Sequence, residues 1–217
     1  MTDVRLLLPA ADLRTALGAD PSAALDDMLA SVAAGTTTLA RTFPAAARRT
    51  ARGPFGDGDG HRIEDAVRVE LIATAATDLG PEALLDELTL LYRHGDADEK
   101  RAVLHALAGI DDPRVDGSAL LLDALRTNDV RLVAAAMGPH ASRLSAHDWR
   151  HGVLKCLFVG VPLSAVADLR TRADDELVAM VGRFSDERRA AGRPVPDDAR
   201  TVLAMSAPDP TATAPEG

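Results

Sequence analysis

The sequence predicts an all-α fold, and three observations carry that prediction. Apolar residues recur at helical spacing, for example at Ile63, Ala66, Val67 and Leu71, as on the buried face of an amphipathic helix. Alanine is abundant, and only six residues are aromatic (four Phe, one Trp, one Tyr), so closely packed helices must supply the core. No segment shows strand-like alternation. Short connections favour antiparallel neighbours, so we expect stacked antiparallel helix pairs in one α-solenoid-like (HEAT-like) domain over residues 1–205.

The N-terminal part should form short helices at 10–17, 21–34 and 36–48. Asp20 precedes Pro21 in the pattern of an N-cap followed by a proline in the first turn. Gly35 separates the second helix from the third. Residues 50–60 contain too much glycine for a packed element, so we expect a mobile loop there.

The middle of the chain predicts a tight helical hairpin. A helix at 63–79 stops at Gly80-Pro81, and the next helix runs to His94, with Gly95 in the C′ position. Asp96 and Glu99 have the spacing of a capping box. The second arm of the hairpin then continues to residue 108.

Further helices are predicted at 118–127, 129–137, 146–159, 163–169 and 174–190. Several of the connections between them are only a few residues long. The segment after Met205 consists largely of Pro, Ala, Thr and Asp. We therefore expect residues 206–217 to be a disordered tail.

Composition restricts the classes of function. A net charge of −9 and a pI near 5.1 argue against nucleic-acid binding and against an anionic membrane surface. The single cysteine, Cys156, allows no internal disulfide and fits a reducing compartment. The apolar run at 6–8 is far too short to span a membrane. We expect a soluble, cytoplasmic protein.

The helix at 146–159 is the most distinctive stretch. Asp148, His151 and Lys155 fall on one narrow stripe, while apolar residues occupy most of the remaining circumference. Such a pattern predicts a buried helix whose polar stripe lines a pocket or faces a polar partner. Lys155 is also one of only two lysines in the chain, with Lys100.

Three segments, in order along the chain, resemble the EboA family of bacterial metabolite traffic proteins. They are LLYRHGD at 90–96 with EKRAVL at 99–104, VLKCLFVGVPL at 153–163, and DERRAAGRPVP at 186–196. The likeness extends from about residue 63 to 196. It implies a soluble helical protein encoded among enzymes of secondary-metabolite (natural product) assembly, typically with a prenyltransferase-like membrane protein and sugar-phosphate-cyclase-like enzymes. The family is associated with moving a metabolite precursor out of the cytoplasm.

One pair of adjacent positions departs from the family pattern. Arg150-His151 stands where family members tend to carry an Asn-Gln pair, which adds a titratable group to the stripe. Lys155, desolvated by its apolar neighbours, and His151 would then form an acid/base set with Asp148 as orienter. Alternatively, Lys155 pairs with a carboxylate of another helix and only fixes the packing.

Tyr92, Arg93 and His94 end a predicted helix, where the macrodipole alone favours cations. The functional alternative is that Tyr92, Arg93 and His94 join Lys155 in holding an anionic or polyhydroxylated ligand, with Trp149 as an aromatic wall.

No cofactor motif and no convincing metal pattern is recognisable. His147 and His151 are spaced to grip zinc, but the Glu of a metalloprotease motif is absent. Asp57 and Asp59 resemble a calcium loop that lacks its later ligands. Cys156 is expected to be a buried structural thiol.

Two hypotheses of function follow. The first is a cytoplasmic accessory protein that binds or hands over a small-molecule precursor, or docks with enzymes of its pathway. The second is a cofactor-independent cyclase, isomerase or lyase that uses Lys155 and His151 in an interhelical pocket. The absence of a strong catalytic signature favours the first.

Overall fold

The structure, a computed structural model, describes residues 2–56 and 60–205. Within these residues the protein contains thirteen α-helices, two short 3-10 helices and no strand, which confirms the all-α prediction. The helices are α1 (Ala10–Leu17), α2 (Ala19–Ala33), α3 (Leu39–Thr42), α4 (Ala46–Arg49), α5 (Ile63–Ala76), α6 (Pro81–His94), α7 (Ala97–Ala108), α8 (Ser118–Leu125), α9 (Val130–Ala136), α10 (Ala146–Val159), α11 (Leu169–Arg172), α12 (Asp175–Ala190) and α13 (Asp197–Ala204). The 3-10 helices are Pro139–Arg143 and Leu163–Ala165.

Helix α5 lies at the centre of the molecule and is buried on almost every side. It packs against α2 and α7, and α7 in turn packs against α6 and α9. Helix α9 contacts α8 and α10, and α12 contacts α10 and α13. Helices thus pack one against the next from α2 to α13. A regular solenoid stays a prediction.

Local signals placed several helix ends correctly. Asp96 and Glu99 form the predicted capping box, in which the Glu99 N–H donates to Asp96 Oδ1 at 2.9 Å and the Asp96 N–H to Glu99 Oε2 at 3.1 Å. Helix α10 has its predicted bounds because Ser145 caps its start and Gly160, at φ 84°, ends it in the left-handed region.

Other predicted bounds were wrong for identifiable reasons. The predicted helix at 36–48 is two short helices, because Pro44 between them has no N–H to donate. The predicted helix at 163–169 is interrupted by Asp168, which has a left-handed φ of 59°. Asp20 is not an N-cap, since α2 already begins at Ala19. Helix α13 has no counterpart among the predicted elements.

Gly95 is required by a close approach, not by a left-handed backbone. Its φ is −78°, so it does not have the left-handed backbone that is common at the C′ position. A Cβ at this position would lie 2.7 Å from the Leu91 carbonyl oxygen and 2.8 Å from Glu99 Cβ. The glycine therefore allows α6 and α7 to meet at the hairpin.

The N-terminal segment, residues 2–8, crosses the end of α7. The Arg5 N–H donates to the Gly109 carbonyl at 2.9 Å, and the side chains of Val4 and Leu8 are buried. A Cβ at Gly109 would lie only 2.5 Å from the Arg5 carbonyl oxygen. The segment is thus held against the helix by contacts that only glycine permits.

Helix α10 is buried on one face only, which corrects the prediction of a buried helix. Trp149, Val153 and Cys156 face the core, whereas His151 and Phe158 are exposed, Phe158 by 65%. Trp149 and Cys156 are fully covered, and burial raises the pKa of the Cys156 thiol to about 12. The prediction failed because it counted Phe158 as part of a buried surface. An apolar residue can also lie on the protein surface, as Phe158 does.

Two predicted irregular segments lie wholly or partly outside the described residues. The tail at 206–217 is outside them, as are residues 57–59 with Asp57 and Asp59 of the predicted loop. In the described part of that loop, Pro54 and Arg62 form an isolated antiparallel bridge, and the Phe55 N–H donates to the His61 carbonyl at 2.9 Å. Within the described residues, no helix is both long and apolar enough to cross a membrane.

Candidate functional site

A cavity lies between the N-terminal segment, the loop before α5, and helices α7 and α9. Its volume is about 790 Å³, within the range typical of small-molecule sites. Residues 160–165, which follow α10, close one further side. The apolar part of its lining includes Leu6, Leu7, Pro54, Phe55, Ala108, Val130, Ala134, Ala135, Pro139, Val161, Pro162 and Ala165.

The polar part of the lining is cationic or imidazole. It consists of Arg5, Arg62, Arg101, Arg131, His61 and His105. Among the described residues that line the cavity there is no Asp or Glu, although the whole chain has 33 acidic and 24 basic residues. The described lining therefore differs in charge from the chain as a whole.

A buried ion pair between α5 and α7 anchors one of these arginines. Arg101 donates from Nε to Asp65 Oδ2 at 2.7 Å and from Nη2 to Asp65 Oδ1 at 3.0 Å. Its Nη1 donates to Asp98 at 3.0 Å. Burial raises the pKa of the Asp65 carboxyl, and the hydrogen bonds from Arg101 oppose that rise. These hydrogen bonds fix the position of the Arg101 side chain in the lining of the cavity.

Arg62 is positioned by Glu64 at the start of α5. Its Nε donates to Glu64 Oε1, and Glu64 Oε2 accepts the Gly53 N–H at 2.9 Å. Burial alone would raise the pKa of the Glu64 carboxyl, but the hydrogen bonds from Arg62 and Gly53 outweigh it and lower that pKa. Glu64 therefore stays ionised and ties the loop before α5 to the polar lining.

Arg131 is tied to the same network from α9. Its Nη1 donates to Asp98 at 2.9 Å, and its Nε and Nη2 donate to Asp129 at 3.1 and 2.8 Å. Asp98 accordingly bridges Arg101 and Arg131. The carboxylates that hold the arginines lie outside the lining.

His105 and His61 complete the polar side of the cavity. Their ring centroids are 6.2 Å apart in an edge arrangement, and His105 Nε2 lies 3.9 Å from Asp65 Oδ2. Burial, with smaller contributions from His61 and Arg101, lowers the pKa of His105 to about 4. His105 is therefore neutral at pH 7 and offers a hydrogen bond without a charge.

None of the seven residues predicted from the sequence as site residues lines this cavity. Asp148, His151 and Lys155 do share one face of α10, as predicted, but that face is not enclosed. Lys155 Nζ donates to Asn128 Oδ1 at 2.8 Å, and the Ser145 hydroxyl donates to Asp148 Oδ2 at 2.7 Å.

The remaining predicted residues have other partners. The Tyr92 hydroxyl donates to Asp123 Oδ2 at 3.1 Å, and burial, followed by the Asp123 charge, raises the pKa of Tyr92. Arg93 and His94, the next two residues, are exposed. Trp149 is buried beneath the Arg172 guanidinium, 4.7 Å from the ring centroid. Their part in ligand binding stays a prediction.

The sequence contained one signal for the cavity that the prediction did not use. Arg101 lies in the segment at 99–104, and Gly160, Val161 and Pro162 lie in the segment at 153–163. Both segments carry the resemblance described above. Their residues meet at the cavity although they are more than fifty positions apart in the chain.

A sequence model described as "Metabolite traffic protein EboA" matches residues 46–203. The chain belongs to the EboA family. The matched range contains every residue that lines the cavity except Arg5, Leu6 and Leu7. Neither a curated protein nor a solved structure matches the chain.

The EboA family name indicates a role in metabolite traffic and names no metabolite. Within residues 2–56 and 60–205, no group of three or more His, Cys, Asp or Glu residues is placed to hold a metal ion. The cavity combines apolar walls with a few polar groups, as small-molecule sites generally do.

Proposed function

We propose that the protein is an accessory of metabolite traffic that binds a small, largely apolar metabolite in the cavity and hands it over to another protein of its pathway. The cavity itself carries the proposal, because it combines about 790 Å³ with apolar walls and a few polar groups on fixed elements. Membership of the EboA family supports the assignment to metabolite traffic.

The construction of the cavity supports binding in particular. Arg62, Arg101 and Arg131 are held by buried or half-buried carboxylates, so their positions are set before any ligand arrives. Preorganised groups lose little conformational freedom when a ligand binds. The apolar walls, such as Leu6, Phe55 and Val161, supply area that an apolar ligand removes from water.

A cavity-filling variant tests the proposal. Ala135 of α9 lines the cavity, so Ala135→Phe should occupy part of it. N-phenyl-1-naphthylamine, a neutral fluorescent probe, should bind wild type and lose about tenfold or more in affinity for Ala135→Phe, as expected when an added ring displaces a ligand. Ala179→Phe is the matched control, because Ala179 is exposed on α12 outside the cavity. Equal binding to folded Ala135→Phe and wild type would contradict the proposal.

Transfer of the ligand implies a partner. We propose that this partner is another protein of the same pathway, a prenyltransferase-like membrane protein among the possibilities, and that the exchange takes place in the cytoplasm. Co-purification from the producing cells, with extraction of any small molecule retained by the protein, tests this step. A protein that retains no metabolite and no pathway partner would contradict transfer while leaving binding in the cavity to be judged by the probe.

A further inference from the structure

We infer that the cavity selects amphiphilic anions, that is, an apolar body ended by a carboxylate or a phosphate, with the anionic group held at Arg62. The inference rests on the proposed function and specifies the class of ligand. It depends on three features of the described residues: a lining with arginines and no carboxylate, the two Nη atoms of Arg62 that have no partner there, and the apolar walls beyond them.

All the polar lining residues except Arg5 are linked to one another. Arg62 Nε binds Glu64 Oε1, and Arg101 Nη2 lies 3.7 Å from the same oxygen. Asp98 links Arg101 to Arg131, and the rings of His61 and His105 are in contact. The groups therefore form a connected cluster, and a ligand in the cavity meets a polar side there.

The carboxylates of this cluster are turned toward the arginines. Glu64 and Asp65 are almost completely buried, and both Asp98 and Asp129 accept guanidinium hydrogen bonds. A ligand in the cavity consequently meets N–H donors, whereas the acceptor oxygens lie behind them. A charged or strongly polar acceptor on the ligand fits such a surface, and a cationic ligand does not.

Among the arginines linked in this cluster, Arg62 has the most donors left for a ligand. Arg101 and Arg131 each use Nε and both Nη atoms in hydrogen bonds to carboxylates. Arg62 uses only Nε, and its two Nη atoms have no partner in the described part of the chain. A planar pair of N–H groups matches the two oxygens of a carboxylate or a phosphate.

The side chain of Arg62 is also partly exposed, so a ligand can reach it. It is 40% exposed, compared with 5% for Arg101, so it is accessible yet supported by Glu64 beneath it. His105, which is neutral at pH 7, adds no charge to the lining. The apolar residues of the N-terminal segment and of α9 then surround the ligand body.

A matched pair of probes distinguishes recognition of a negative charge from binding of an apolar ring system. 8-Anilinonaphthalene-1-sulfonate and N-phenyl-1-naphthylamine share one ring system and differ in the sulfonate. Wild type should bind the sulfonate more tightly than the neutral probe. Arg62→Gln should lower the affinity for the sulfonate about tenfold, as for loss of a charge-assisted hydrogen bond, with the neutral probe unchanged.

Arg183→Gln is the matched control variant. Arg183 lies on α12, outside the cavity, and pairs with Glu176 at 3.2 Å on the surface. Its substitution removes the same charge and should leave both affinities unchanged. A loss of sulfonate affinity equal to that of Arg62→Gln would show a general charge effect and overturn the inference.

Competition with decanoate, decyl phosphate and decanol identifies the head group. Decanoate or decyl phosphate should displace the bound sulfonate probe at lower concentration than decanol, and the better of the two names the anionic group. Displacement by decanol as effective as by both anions would overturn the inference. Binding of the neutral probe with no preference for the sulfonate would also overturn it while leaving the proposed function intact, whereas binding of neither probe would refute the proposed function itself.

Discussion

Asp65 of α5 and Arg101 of α7 form a two-pronged ion pair inside the molecule, with N–O distances of 2.7 and 3.0 Å. Asp65 is completely buried and Arg101 is 4% exposed. The pair joins the central helix to the helix that carries one wall of the cavity. Charges so far from water are tolerated because each is hydrogen-bonded to the other.

Removal of one partner of this pair should destabilise the protein strongly. Arg101→Met leaves the Asp65 carboxylate buried without its main donor, which typically costs about 3–5 kcal/mol. Urea unfolding, followed by the fluorescence of Trp149, the only tryptophan, measures the change. Arg200→Met is the control, because its pair with Asp197 is exposed and such pairs contribute about 0–1 kcal/mol. A loss no larger than that of the control would contradict a structural role for the pair.

Gly109 should tolerate no side chain, because the N-terminal segment passes directly over it. Gly109→Ala places a methyl group 2.5 Å from the Arg5 carbonyl oxygen and should displace the segment that contributes Leu6 and Leu7 to the cavity. We expect lower stability together with weaker binding of the neutral probe.

Gly182→Ala is the opposite case on α12. The nearest atom to its Cβ would be Leu203 Cδ2 at 4.0 Å, and alanine favours a helix interior by about 0.5–1 kcal/mol. This variant should be slightly more stable than wild type and bind the probe normally. If both alanine variants behave alike in unfolding and in binding, the contact of Arg5 with Gly109 is not what holds the segment.

Local chemistry determined what could be predicted from the sequence. The capping box of Asp96 and Glu99 and the bounds of α10 depend on residues a few positions apart, so both were recognisable. The cavity depends on Leu6, Arg62, Arg101 and Val161, which only the packing of distant helices brings together. Residue types on α10 likewise could not show that Phe158 faces solvent.

Acidification should weaken the fold between pH 6.5 and 4. Burial lowers the pKa of His105 and of His140 to about 4, from the ordinary value of 6.5. The unfolded chain then binds protons in this window that the native protein does not, so stability is complete above pH 6.5 and falls toward pH 4. The loss amounts to about 3 kcal/mol for each histidine, measurable as a lower urea midpoint.

Substitution of one histidine tests the assignment of this pH dependence to the two buried histidines. His140 Nε2 accepts the Gly117 N–H at 3.1 Å, and a glutamine oxygen can accept the same hydrogen bond. His140→Gln should therefore make the unfolding free energy about half as dependent on pH within the window, according to proton linkage. His151→Gln, at an exposed position, should leave the pH dependence as in wild type. If the unfolding free energy of His140→Gln changes with pH as steeply as that of wild type, other titrating groups cause the pH dependence.

The polar stripe of α10 should contribute little to binding. Lys155 donates a hydrogen bond to Asn128, His151 is exposed, and neither lines the cavity. Lys155→Ala and His151→Ala should therefore bind the neutral and the sulfonate probe with affinities close to those of wild type. Loss of a surface hydrogen bond at Lys155 should change the unfolding free energy by less than about 1 kcal/mol.

The same two variants test the enzyme hypothesis directly. Purified wild type and each variant are incubated with intermediates of the pathway, and the products are compared by mass spectrometry with a sample that lacks protein. If the protein only binds an intermediate, it releases that intermediate chemically unchanged. All the product profiles are then identical. Conversion of an intermediate by wild type, lost in folded Lys155→Ala or His151→Ala, would instead place a reaction on α10. That result would require a ligand to approach the exposed face of this helix, where Phe158 stands beside Lys155 with its ring centroid 6.0 Å from Nζ.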